Sequence, residues 1–163
     1  MSAGQSSGGR DVAGGGFGDT AFLNQTAHVA ILDSAGRILQ VNGAWNAFAD
    51  ANGLDAAFRF LGADYLAVCR RAVETGGPGS EGAREACDGL AAVLAGRQPR
   101  FSLVYPCHSP SEQRWFLMFA RPFPGVGDGA VVSHIDVTQL KLAGWVPDET
   151  QVAVSDDESG AAK

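Results

Sequence analysis

Residues 105–116 read YPCHSPSEQRWF and lie between two β-rich apolar runs, 101–105 (FSLVY) and 114–123 (RWFLMFARPF). Pro106 and Pro110 cannot donate backbone hydrogen bonds and shape a tight turn, so the segment reads as a hairpin joining two antiparallel strands. A third strand is predicted over 130–136 after the Pro124 to Gly129 connection. Upstream, HVAILD (28–33) and RILQV (37–41) are separated by Ser34, Ala35 and Gly36, a second tight antiparallel pair.

Helical spacing fills the interval between these two strand groups. Asn42 stops the second strand and is placed to cap a helix in which Ala44, Trp45, Phe48 and Ala49 recur at helical intervals up to Ala51. Short helical turns are expected over 54–62. Asp64 opens a helix with Leu66, Cys69 and Val73 on one stripe and Tyr65, Val68 and Ala72 on the next, which TGGPG (75–79) ends. Ser80 is expected to cap a third helix with Ala83, Cys87, Leu90, Ala91 and Leu94 on its apolar face, closed by Gly96. A short helix from Asp19 or Thr20 to Ala27 stands before the first strand. Two strands, a helical insert and three strands give an α+β domain whose five-stranded antiparallel sheet is covered by helices on one face.

Composition narrows the function. A chain of 163 residues with 45% hydrophobic content can bury the core of one domain. Of the net charge of −6, the segment 144–163 carries −4, from Asp148, Glu149, Asp156, Asp157 and Glu158 against Lys163, so the body holds −6 − (−4) = −2. With Arg70 and Arg71 as its adjacent basic pair, that body has no electrostatic footprint for nucleic acid. No apolar run reaches the about eighteen residues of a membrane span, and the Gly/Ser-rich start lacks a signal-peptide core, so a cytoplasmic protein is expected. Residues 1–18 are expected to be a disordered leader, 19–143 the domain and 144–163 a disordered acidic tail. Cys69, Cys87 and Cys107 form no CxxC or Cys/His ladder and are expected to be reduced thiols, with no metal site. No phosphate-binding glycine loop, GxSxG or HExxH occurs, so no enzymatic activity is expected.

The motifs carry a resemblance. ILDSAGRILQVN (31–42) resembles the opening of a PAS domain, in which a strand, an Asp, a Gly turn and a second strand ending in Asn lead into the first helix. HIDVTQLK (134–141) resembles the DIT element that closes many such domains. GADYLAVCRRA, GLAAVLAG and YPCHSPSEQRWFLM are similar to a bacterial PAS subgroup, with a YPCHSPxxxRWF hairpin, common in sensor histidine kinases. The resemblance spans 21–143 and implies a sensor and interaction domain of a bacterial signal-transduction or two-component system. Gly144 to Pro147 interrupt any continuing signalling helix, so the chain is expected to act as a free-standing module, without its own output domain, on a partner such as a histidine kinase or response regulator.

Tyr65, Cys69, Leu90, Leu103 and Trp115 are the candidate lining of a small apolar ligand pocket between helices and sheet. Because WFLMF (115–119) is apolar on both strand faces, the uncovered face is a candidate homodimer surface, formed by Leu117 and Phe119 with Phe22 and Leu23 of the leading helix. No cofactor is expected. The alternative is a haem- or flavin-bearing redox, gas or light sensor, although Cys69 lacks the Asn-Cys-Arg context of the light-sensing branch. Cys107 and His108 adjoin in the hairpin but lack a second spaced ligand pair, and His28 and His134 read first as satisfied strand histidines.

Overall fold

A computed structural model describes residues 26–53, 61–76, 80–109, 111–124 and 127–146. Five strands form one antiparallel sheet: β1 (His28–Leu32), β2 (Ile38–Val41), β3 (Phe101–Pro106), β4 (Trp115–Phe123) and β5 (Gly129–Asp136). Their order across the sheet is β2-β1-β5-β4-β3, so the first and last strands of the chain pair at its centre. Helices α1 (Gly43–Ala51), α2 (Tyr65–Thr75) and α3 (Ala83–Leu94) lie between β2 and β3 in the chain, and a short α4 (Thr138–Leu142) follows β5. The expected α+β architecture is present, with Ile31, Val41, Leu103, Leu117 and Val132 all on strands of this one sheet.

Local chemistry sets the corners. The β1–β2 turn closes because Asp33 Oδ1 accepts from the backbone N–H groups of Ala35 and Arg37 while Gly36 takes φ 80°. A Cβ at Gly36 would also lie 3.1 Å from Leu66 of α2. β2 is an edge strand, and residues 62–65 run beside it: Ile38 N donates to the Ala63 carbonyl, and Gly62 N to that of Ile38.

Asn42 does more than cap α1. Its Oδ1 accepts from Trp45 N and from Val29 N, each at 3.0 Å, and its Nδ2 donates to the Ala27 carbonyl at 2.7 Å. The side chain is fully buried, so one residue ties β1 to the end of β2 and the start of α1. Asp64 caps α2 through Ala67 N at 2.9 Å, as its sequence context predicts.

The third helix departs from expectation twice. Its N-cap is Gly82 in the left-handed conformation, with no side-chain cap, rather than Ser80. Its most buried positions are Gly89, Leu90, Ala92 and Val93, so the buried face is rotated from the stripe through Cys87, Ala91 and Leu94. Gly89 explains the rotation: it rests against the ring of Phe101, and a side chain there would collide with it. The core beneath comprises Ala30, Leu32, Ile38, Trp45, Leu90, Phe101, Leu103, Met118, Ala120 and Val132.

The helix expected to end at Ala27 falls largely outside the described residues, as do most of the turns expected over 54–62; Thr26 and Ala27 form a bend. Thr138–Leu142 forms one helical turn at the end of the HIDVTQLK segment, and Gly144, at φ 74° and the first residue of the expected interruption, follows it. Among the described residues no helix is long and apolar enough to cross a membrane.

Candidate functional site

Strand alternation sends His28, Tyr105, Phe116, Met118 and His134 from four strands toward the helices. Between them and α1 to α3 lies a cavity of about 290 Å³. α1 contributes Trp45 and Phe48, α2 contributes Tyr65, Val68, Cys69 and Ala72, and the entry to α3 contributes Glu81, Gly82, Ala83 and Ala86; Cys107 completes the lining from the hairpin.

The polar centre of this wall is His134. Tyr65 Oη lies 2.9 Å from its Nε2 and Tyr105 Oη 2.7 Å from its Nδ1, so phenols from α2 and β3 hold both imidazole nitrogens on the central strand. Burial first, and then the neighbouring His28, lower the pKa of His134 to about 3, so the ring is neutral at physiological pH. His28 sits directly across the β1–β5 ladder, its ring 4.5 Å from that of Phe48 and 5.5 Å from that of Phe116. Its pKa is likewise lowered by burial, with Asp136 opposing. Both tyrosine hydroxyls are pushed up by burial and stay protonated.

Arg114 closes the flank between hairpin and α1. Its guanidinium donates to Asn52 Oδ1 at 2.9 Å and to the Cys107 carbonyl at 3.2 Å, and stands 5.5 Å from the centre of the Phe48 ring. His108 accepts from Arg114 N and meets Trp115 edge-on, a turn-stabilising role. Burial raises the Cys69 thiol to about 12 and raises those of Cys87 and Cys107, so none is a ready thiolate.

Of the residues singled out from sequence, Tyr65 and Cys69 line the cavity. Leu90 and Leu103 are buried in the core instead. Trp115 is misplaced by one residue: β4 alternates so that Phe116 and Met118 face the cavity, whereas Trp115 shares the opposite face with Leu117 and Phe119. Leu117 and Phe119 are half-buried there, and Phe22 and Leu23 lie outside the described residues. The sequence reading missed Trp45, Phe48, Phe116 and Met118 as cavity residues and Arg114 as a clamp. His28 and His134, read there as ordinary strand histidines, both face the cavity.

Apart from the His28 imidazole, a bound haem or flavin finds little in this donor set. Both nitrogens of His134 are engaged by phenols, the cysteines are protonated, and the lining holds no Lys or Arg to meet a flavin phosphate. Among the described residues no group of three or more His, Cys, Asp or Glu could hold a metal ion.

A family model described as the PAS fold matches residues 23–142. An uncharacterised 104.1 kDa protein of Rhodobacter capsulatus is 43% identical over 116 residues, which is 69% of this chain and 12% of that one. The chain thus spans about an eighth of the curated relative it matches. Among solved structures, the PAS domain of Bordetella pertussis BvgS superposes with a TM-score of 0.52 at 20% identity, covering 78% of this chain and 90% of that one. The Vibrio cholerae VqmA dimer gives 0.50 at 14% identity, covering 74% of this chain and 50% of that one. At these identities the two structures show a shared fold.

Proposed function

Because the chain belongs to the PAS family, we propose that it is a sensory domain that takes a small molecule into the cavity between sheet and helices and reports occupancy to a protein partner. The observation that carries this reading is the cavity itself: an aromatic wall of Trp45, Phe48, Tyr65, Tyr105 and Phe116 around one hydrogen-bonded polar group. The opposite sheet face, with half-buried Leu117 and Phe119 and Ile135 at 42% exposure, is the surface through which a second copy docks. That the VqmA structure is of a dimer supports pairing of two copies. The presence of a related segment within a 104.1 kDa chain supports a module that reports to other domains or polypeptides, a histidine kinase or response regulator of a bacterial signalling pathway among them.

The test is thermal unfolding of the full chain with indole as a neutral probe. Saturating indole raises the Tm of the wild type and leaves that of Ala86→Trp, which fills the cavity, unchanged. No shift in the wild type, or equal shifts in both proteins, would refute a ligand-binding cavity. A visible absorption spectrum of the purified protein tests the cofactor alternative: a Soret or flavin band would replace the small-molecule reading with a haem or flavin sensor.

A further inference from the structure

A neutral imidazole has one N–H donor and one lone-pair acceptor. With a phenol at each nitrogen of His134, the tautomer decides the role of each hydroxyl. If the proton is on Nδ1, Tyr105 accepts it and Tyr65 donates to Nε2; the Tyr105 O–H then points onward as a donor. If the proton is on Nε2, it is donated to Tyr65, and Tyr105 donates to Nδ1 while its oxygen presents lone pairs. Three protons are shared by three side chains in both states, so the exchange changes no charge. Tyr105 therefore offers the cavity it lines either a donor or an acceptor.

The rest of the lining discriminates by charge and shape. Glu81 is the one residue of the lining that carries a charge at neutral pH, and it is exposed. The guanidinium of Arg114, 5.5 Å from the centre of the Phe48 ring, is held by Asn52 and the Cys107 carbonyl. An ion inside would lose its hydration with no buried counter-charge to replace it, since Glu81 stands at the exposed edge. Aromatic rings on several sides favour a flat guest, and about 290 Å³ suits one or two rings.

We propose that the ligand is an uncharged, flat ring compound with one hydrogen-bonding edge seated on Tyr105, and that the Tyr65–His134–Tyr105 chain accommodates a donor or an acceptor at that edge by exchanging the imidazole tautomer. This rests on the cavity being a ligand site, and it adds the chemical class of the ligand and the group that reads it.

Five probes of similar size test it on the full chain: acetophenone (acceptor), indole (donor), toluene (neither), benzoate and benzylammonium. Imidazole ¹⁵N shifts of His134 are expected to report the Nδ1–H tautomer with acetophenone and the Nε2–H tautomer with indole. Benzoate and benzylammonium are expected to bind at least about tenfold more weakly than acetophenone. Tyr105→Phe is expected to weaken acetophenone about fivefold and leave toluene within about twofold. The tautomer measurement needs no variant, so it stands even where Tyr105→Phe folds poorly. One tautomer with all three neutral probes, or acetophenone affinity unmoved by Tyr105→Phe, overturns the anchor while leaving the cavity as a ligand site. Charged probes binding as tightly as neutral ones overturn the assigned ligand class. If none of the five binds, the cavity reading fails and takes this inference with it.

Discussion

Removing the side chain of Asn42 is the sharpest test of how this fold is held together. Asn42→Ala deletes an oxygen that satisfies two backbone donors, Val29 N and Trp45 N, and a nitrogen that satisfies the Ala27 carbonyl, at a position with no solvent exposure. A buried donor left without a partner costs about 1–3 kcal/mol, so the two donors together predict a loss of about 4 kcal/mol. Against the about 5–15 kcal/mol that stabilises an ordinary domain, this is a large share. Asn42→Ser keeps a hydroxyl able to cap Trp45 N and should recover about 1 kcal/mol of the loss. The assay is urea unfolding followed by tryptophan fluorescence, comparing midpoints at a common m-value. A loss below about 1 kcal/mol for Asn42→Ala with m unchanged would refute the assignment of Asn42 as the joint between β1, β2 and α1, because an exposed helix cap alone costs about that much.

Gly89→Ala reverses an ordinary expectation: within a helix the change normally stabilises by about 1 kcal/mol, but here the new Cβ would lie 2.2 Å from the Phe101 ring. A net loss of about 1–2 kcal/mol is expected, with recovery on adding Phe101→Leu; a stabilised single variant would contradict the close approach. For pH dependence, the folded pKa of His134 lies below its unfolded value of 6.5, so the unfolded chain binds more protons between 6.5 and about 3 and stability falls as pH falls through that window. From pH 7 to 5 the loss is about 2 kcal/mol for this residue, and His134→Gln should flatten that part of the urea-midpoint profile. The groups facing it are His28 from β1, Tyr65 and Cys69 from α2 and Tyr105 from β3, of which only His28 titrates in this range and in the same direction. Light scattering of the wild type is expected to give twice the chain mass and Leu117→Glu the monomer; a wild type that stays monomeric at high concentration would remove the sheet face as the dimer surface.

Much of this fold is legible in the residues because its punctuation is chemical. Asp33 and Gly36 make a turn that few other pairs would, Asn42 and Asp64 accept backbone hydrogen bonds that start helices, and β-rich runs flank the prolines of the hairpin. The cavity was legible only in part, and β4 shows why. WFLMF is apolar at every position, so period-two alternation carries no information about which set faces inward, and a shift of one residue exchanges the two faces. The ladder resolves it through neighbours: Phe116 pairs with Tyr105 and Met118 with His134, and these polar tips meet one another over the cavity. A histidine on one strand and tyrosines on another strand and a helix were the available signal, but their sequence separations of 29 and 69 residues hide the cluster until the strand order is known. Leu90 and Leu103 mark the opposite limit. Hydrophobic patterning identifies what is buried, whereas a cavity exists where buried side chains fail to meet: in α3 the missing side chain of Gly89 lets Phe101 pack against the helix, and the opening lies nearer the helix start, beside Gly82, Ala83 and Ala86.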